Sequence, residues 1–265
     1  MTTVQREQRD WSAVLFWGCL IVLLLFVVIP VASIFFEIPG SSVVALAADP
    51  STLSAIRITL VTSTASLFVI LAFGIPTARL LSRREFKGKG IIDTIVDLPI
   101  ILPPAVAGLA LLLAFAPRSP IGKVLLAYGL ILPGNIVAVV IAETFVAMPY
   151  FITSARTAFD EINPRLEMAS SLLSPSKFFS FRRVVLPLAS RGLVAGSILA
   201  WGRAMGEFGT TLLFAGNLPG ITQTMPLAIY LDLANNIYQA SFVSAILVVI
   251  SFAVIAMTRW ATRRR

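Results

Sequence analysis

LPLASRGLVAGSILAWGRAMGEFGTTLLFAGN, residues 186–217, decides the architecture, because it is apolar for longer than a bilayer is thick and is paved with glycine. The hydrocarbon core of a membrane is about 30 Å deep, so one helical crossing takes roughly 20 mostly apolar residues. Leu188 to Phe214 exceeds that length. Directly before it lies Pro164 to Arg183, a segment too polar to span and studded with Phe, Lys and Arg. A basic, aromatic surface joined covalently to a crossing helix is how a soluble motor can work a membrane channel.

Working outward, the composition gives the same class. With 57% hydrophobic residues, mean hydropathy +0.90 and 13% charged residues, the 265-residue chain is too apolar for a soluble domain. Six runs have crossing length: Ala13 to Phe36, Ile58 to Leu81, Ile91 to Phe115, Gly134 to Ala155, Leu188 to Phe214 and Ala240 to Met257. The first is longer than a signal-peptide core and lacks a small-residue cleavage site, so it reads as an anchor. The prediction is an all-α polytopic membrane protein with six transmembrane helices. A short N-terminus (1–12) precedes the membrane domain (13–258), which carries a coupling-helix loop at about 158–187 between helices 4 and 5; a basic tail (259–265) follows.

Lysine and arginine set the topology. Arg6 and Arg9 precede the first run, and Arg79, Arg83, Arg84, Lys87 and Lys89 follow the second. Arg156, Arg165, Lys177, Arg182, Arg183 and Arg191 surround the fourth connection, and Arg259 and Arg263 to Arg265 close the chain. With six crossings these fall on one side, while the other holds Arg57, Arg118 and Lys123. The last outer loop, roughly 215–239, has no basic residue. Both termini and the fourth connection are therefore expected in the cytoplasm, in a multi-pass protein of the cell membrane. The same asymmetry accounts for the net charge of +8, so no nucleic-acid partner is implied.

Chemistry is scarce. Cys19 is the sole cysteine and there is no histidine, which excludes a disulfide framework, a Cys/His metal cluster and an imidazole base. Lys87-Gly88-Lys89-Gly90 lacks the spaced glycine and the Ser or Thr of a phosphate-binding loop, so ATP would be hydrolysed by another chain. No catalytic residue, metal or cofactor is expected here, and a lipid-modifying enzyme would lack a nucleophile–base pair.

The polar connection has helical periodicity of its own. Leu166, Ala169 and Leu173 form one short stripe, and Phe178, Phe181 and Val185 form another after Ser174-Pro175. This predicts two short helices with an elbow, Pro175 in the first turn of the second and Ser174 capping it. By periodicity alone the hairpin could equally lie on lipid as an interfacial pair.

LEMASSLLSPSKFFSFRRVVLPLAS, from Leu166 to Ser190, resembles the cytoplasmic loop of ABC-importer permeases, and WGRAMGEFGTTLLFAGNLPGITQTMPLAIY, from Trp201 to Tyr230, resembles the signature of their molybdate, tungstate and sulfate group. DLPIILPPAVAG, from Asp97 to Gly108, is similar to a further segment of that group. In the family an EAA–Gly–LP pattern docks into a groove on the ATPase. Counting back from Leu186-Pro187 puts the EAA positions on Met168, Ala169 and Ser170 and the glycine on Ser174; counting forward from Glu167 puts the glycine on Leu173. In neither register is glycine present. The resemblance implies an ATPase-coupling role for Glu167, Met168, Ala169, Ser170, Ser174, Pro175, Phe178, Leu186 and Pro187. It implies also a homodimer of permeases, two ABC ATPase subunits and an extracytoplasmic oxyanion-binding protein, with molybdate the first expected cargo and tungstate or sulfate its alternatives. The mechanism so implied is alternating access, in which ATP draws the elbows together and opens the pathway outward. An ion-coupled secondary carrier using Glu143 is the rival from another class, but no inverted repeat supports it.

The fifth run also has a physical reading. On a helical projection Gly192, Gly196, Arg203, Glu207 and Thr210 share one face, with Gly202, Gly206 and Gly209 on a neighbouring one. Such faces either pack helix on helix or bend to open a pathway. From Leu188, Arg203 lies roughly 23 Å and Glu207 about 29 Å along the helix, depths at which a lone charge costs at least about 2.5 kcal/mol. Arg203 is thus expected to pair with Glu143 or Glu207, either beside the pathway or as a fixed structural ion pair. Pro99, Pro103 and Pro104 interrupt the third run, and Pro76 and Pro149 sit in the second and fourth, where they kink helices with or without motion. Since only Arg203 is clearly intramembrane among the basic residues, no tight anion site is expected at mid-membrane, and selectivity would reside in the delivering partner.

Overall fold

The structure, a computed structural model, describes residues 3–173 and 176–263. Its elements in chain order are α1 (Thr3–Phe36), α2 (Val43–Ala48), α3 (Pro50–Arg83), α4 (Lys89–Ile101), α5 (Pro104–Phe115), α6 (Pro120–Ala127) and α7 (Ile136–Asp160). There follow α8 (Pro164–Leu173), α9 (Lys177–Ser180), one π-helical turn (Phe181–Val185), α10 (Leu186–Met205), α11 (Gly209–Ala215), α12 (Met225–Asn235) and α13 (Ile237–Arg263). No strand occurs among the described residues. Five helices are long and apolar enough to cross a membrane, and a bent pair, α4 with α5, brings the number to six.

Local chemistry explains where the long helices begin. Asp49 caps α3 by accepting from Ser51 N at 2.9 Å and Thr52 N at 3.1 Å, and Pro50 occupies the first turn, where its missing N–H is no loss. Asn135 caps α7 in the same way through Val137 N and Ala138 N. At 34 residues α3 is about 51 Å long, so it projects beyond a 30 Å hydrocarbon core.

Three helices, α3, α7 and α10, make the centre. Ile70, Ala78 and Leu81 of α3, Phe151, Ala155 and Phe159 of α7, and Ala189, Leu193 and Ala200 of α10 are buried together. Small residues set how near the rods come. A methyl group on Gly192 would lie 2.4 Å from Ala158 Cβ and one on Gly196 2.8 Å from Ser154 Cβ, so α10 touches α7 backbone to side chain. Outside this centre α1 packs beside α13 and keeps its apolar side chains exposed all round, as a lipid-facing helix does.

Two crossings depart from the sequence reading. The third run, read as one span over Ile91 to Phe115, is broken: α4 and α5 meet at 114° around Leu102 and Pro103. Two consecutive prolines remove two backbone donors and hold the residues before them extended, which ends α4 and starts α5. The fifth run, read as Leu188 to Phe214, is continuous only to Met205 and resumes at Gly209. Its upstream end is longer than expected, since the π turn joins it to α9. The supposed outer loop over 215–239 contains α12, whose apolar residues Met225, Leu227 and Ala228 are buried.

Candidate functional site

The polar connection forms the hairpin that its periodicity predicts. Its second helix starts later than predicted: Ser176, accepting from Phe179 N at 3.1 Å, is the cap of α9, where Ser174 and Pro175 were expected to serve. Ser174 and Pro175 themselves lie outside the described residues. Ser170 Oγ and Ser180 Oγ, 2.6 Å apart, hold α8 against α9. Phe181 is half-buried, with its ring centroid 6.3 Å from that of Phe159, and Val185 is buried. Phe178, of the same stripe, is 72% exposed.

The exit from the hairpin is wound more loosely than an α-helix. Leu186 N donates to Phe181 O, five residues back, and the Leu186 side chain packs on the central core while Pro187 is exposed. Pro187 has no N–H to give and would press on the carbonyl four residues earlier; one widened turn removes both conflicts. The Leu–Pro pair therefore sets how the hairpin feeds α10.

Glu167, in the first turn of α8, reaches the foot of α3. Its Oε1 is ion-paired with Arg79 Nη2, and its Oε2 lies 3.3 Å from Arg83 Nε. Arg83 Nη2 also donates to Ile162 O at 2.6 Å, just before α8. The Arg79 guanidinium stacks 5.5 Å from the centre of the Phe159 ring. Thus α8 is fastened to α3 and α7 through one carboxylate and two arginines. Meanwhile Leu166, Ala169 and Leu172 are exposed, Leu172 at 84%, so an apolar face of α8 points away from the clamp, while Met168, also exposed, borders the space between α8 and the foot of α3.

At the other candidate site, Arg203 Nη1 lies 2.8 Å from Glu207 Oε2, and Glu207 Oε1 accepts from Thr210 N at 2.9 Å. Glu207 is 2% exposed, yet both carboxylate oxygens are used. It neutralises Arg203 and caps the restart of the chain at α11. Of the two partners considered for Arg203, the structure brings Glu207. Glu143, 1% exposed, takes hydroxyl donors instead: Thr62 Oγ1 and Ser66 Oγ, each at 2.8 Å, both from α3.

The two chain breaks lie against each other. Thr210 Oγ1 donates to Pro104 O at 3.3 Å. A methyl on Gly209 would sit 2.7 Å from Pro104 Cβ, and one on Gly108 2.9 Å from Leu213 Cβ, so α5 and α11 pack at glycine distance. Gly202 faces elsewhere, toward Val254 of α13, and Gly206 lies in the break, where a methyl group would meet Gly202 O at an ordinary 3.7 Å. The helical projection that put Gly202, Gly206 and Gly209 on one face fails because the helix stops at Met205.

Beyond the break the foot-to-head path along α3 closes. Thr59 Oγ1 accepts from Met225 N at 2.8 Å, and Gln239 Nε2 donates to Asp49 Oδ1 at 2.9 Å and Thr52 Oγ1 at 2.7 Å. Hydrogen bonds from the Ser51 hydroxyl and Thr52 N hold the Asp49 carboxyl below the usual carboxylate range. Burial, with the charge of Asp49 nearby, raises Asp232. Among the described residues no group of three or more His, Cys, Asp or Glu is placed to hold a metal ion.

Residues 70–265 match the family described as binding-protein-dependent transport system inner membrane component. The chain belongs to that family. This permease is 35% identical over 232 residues to the molybdenum transport system permease protein ModB of Mycobacterium tuberculosis, covering 88% of each chain. It is 30% identical over 263 residues to the molybdate/tungstate transport system permease protein WtpB of Thermococcus kodakarensis, covering 97% of the permease and 99% of the relative. Its fold superposes, at TM-score 0.78 and 18% identity, on a chain of a bacterial alginate ABC transporter in complex with a pentasaccharide-bound periplasmic protein, covering 100% and 98%. A chain of the MetNI methionine ABC transporter in an inward-facing conformation gives TM-score 0.58, with 80% and 96% covered. The resemblance carried by Leu166–Ser190 and Trp201–Tyr230 is therefore one of family.

Proposed function

We propose that this permease imports molybdate, or the equally charged and shaped tungstate, delivered by an extracytoplasmic binding protein and moved by alternating access. Two copies form the pathway, and two ATPase subunits grip the α8–α9 hairpins. Both termini and the hairpins lie in the cytoplasm, where the basic residues cluster. The reading of cargo draws on the names of the relatives, and that of the delivery protein on the periplasmic partner in the alginate complex.

The observation that carries the mechanism is the Glu167 clamp. A helix with an exposed apolar face for a partner is tied by its opposite side to Arg79 and Arg83 of α3, and the head of α3 is bonded to α12 and α13. Displacing α8 moves a stiff 34-residue rod, and with it the outer helices. The chain contributes no bond-making step: the ATPase favours one of two conformations, and the clamp passes that preference along. Arg203 and Glu207 hold the α10–α11 break beside the α4–α5 break, where a pathway between bent helices can open.

The test is uptake of radiolabelled molybdate into proteoliposomes with the binding protein outside. Uptake should require the ATPase subunit and internal ATP and should survive collapse of ion gradients. Uptake by the permease alone, or its loss when ion gradients collapse, would overturn the proposal.

A further inference from the structure

Between the foot of α3 and the α8–α9 hairpin lies an open cavity of about 750 Å³. Its walls divide by chemistry. Arg79, Arg83, Arg84 and Lys177 contribute four cations, faced by the single carboxylate of Glu167, and Ile75, Leu80 and Phe178 contribute an apolar flank. Glu167 does not saturate the arginines: Arg83 Nε faces its Oε2, but Arg79 Nη1 is buried with no hydrogen-bond partner among the described residues. Among the described residues no ion pair holds the side chain of Arg84 or Lys177, and both are exposed. A buried guanidinium N–H group without an acceptor, beside uncompensated cations, calls for an anion.

We infer that this cavity binds one anionic phospholipid, its phosphate on Arg79, Arg84 and Lys177 and an acyl chain along Ile75, Leu80 and Phe178. An inorganic anion would satisfy the cations and gain nothing from the apolar flank, whereas an amphiphile matches both. The location fits, because Arg83 ends a membrane-spanning helix, so the cavity lies on the side where that helix leaves the bilayer. Glu167 engages Arg79 through Nη2, so a phosphate at Nη1 leaves the clamp in place. The inference rests on the proposed orientation, which puts this end in the cytoplasmic leaflet, where anionic lipids attract basic residues.

The experiment uses the full-length permease with its ATPase subunit in phosphatidylcholine nanodiscs containing phosphatidylglycerol, with native mass spectrometry reading the lipid retained. Each Lys or Arg at such a surface strengthens binding by about fivefold, so Arg84→Gln with Lys177→Gln should weaken retention by about 25-fold. Arg182→Gln with Arg191→Gln, exposed cations outside the cavity, should change it by less than about twofold, and excess inorganic phosphate should not displace the lipid beyond the effect of sodium chloride at equal ionic strength. Equal losses in both double variants would mean diffuse surface charge, displacement by phosphate would mean a free-anion site, and loss of the ATPase in place of lipid would mean that the subunit fills the cavity; each overturns the inference. ATPase association measured on the same particles, and thiol accessibility of Arg182→Cys in a Cys19→Ser background, show separately whether the coupling and orientation readings stand.

Discussion

Replacing Glu207 by alanine should do more damage than its place at a chain break suggests. The carboxylate is 2% exposed and both its oxygens are engaged, one by Arg203 Nη1 at 2.8 Å and one by Thr210 N at 2.9 Å. Its removal strands a guanidinium whose side chain is 28% exposed and leaves a buried backbone N–H unpaired. Breaking a buried ion pair from one side costs about 3–5 kcal/mol; with Arg203 partly hydrated, the lower end, about 3 kcal/mol, is the expected loss. For a domain of this size that lowers the melting temperature by about 6–12 °C. Glu207→Gln keeps an acceptor for Thr210 N and should lose less. Arg203→Met with Glu207→Leu removes both charges together and should be less destabilised than Glu207→Ala alone, with a coupling of at least about 1.5 kcal/mol. Thermal unfolding of the purified permease in detergent reads all of these. If the losses of Arg203→Met and Glu207→Leu, each measured alone, simply add in the double variant, the pair is not an energetic unit and the reasoning fails.

Other expectations follow from single contacts. Gly192→Val should force α10 from α7, because a single methyl already meets Ala158 Cβ at 2.4 Å; a loss of about 1–3 kcal/mol is expected by thermal unfolding, partly restored by Ala158→Gly. Glu143→Gln, which keeps an oxygen acceptor for one α3 hydroxyl, should cost about 1 kcal/mol or less, and Glu143→Leu more, read in the same assay. Because the Asp49 carboxyl is held below its ordinary range in the fold, its contribution to the α3 cap is present above the unfolded-state value and lost as pH falls through the folded one. The protection of the Ser51 and Thr52 amides, taken relative to their intrinsic exchange rates, should therefore fall in that acid window, and Asp49→Asn should abolish this change in protection. Asp232, raised by burial, has the opposite sign, favouring the fold while protonated, so the Asn variant is needed to separate them.

Hydropathy located the first, second, fourth and sixth crossings because each is one unbroken apolar helix at least as long as the hydrocarbon core is deep. It could not see that the third and fifth runs are broken, since hydropathy is blind to direction. Pro103-Pro104 and the glycines at 206 and 209 were the visible signals, and whether they bend a chain by 114° or merely kink it depends on the packing of α5 on α11. The same limit applies to the sites. Glu207 and Arg203 are one helical turn apart and readable as a pair, whereas Thr62 and Ser66 meet Glu143 across 81 and 77 residues. Arg79 and Arg83 entered the sequence reading only as topology markers, and nothing in their local pattern names Glu167 as their partner. The stripe of Phe178, Phe181 and Val185 was legible, but the π turn between its members leaves Phe178 outside and Val185 inside.

The central claim is that α8 passes the work of the ATPase to α3 through Glu167, and the ratio of molybdate imported to ATP hydrolysed tests it most directly. In proteoliposomes holding the whole importer, Arg79→Glu should lower that ratio by about tenfold while hydrolysis continues, since loss of a partly buried charge pair is worth about 1.4 kcal/mol or more. Reversing the partner as well, with Glu167→Arg, would set a second cation against Arg83, so with Arg83→Gln also in place much of it should be recovered. An unchanged ratio in Arg79→Glu, or a reversed pair no better coupled than the single variant, would contradict the account.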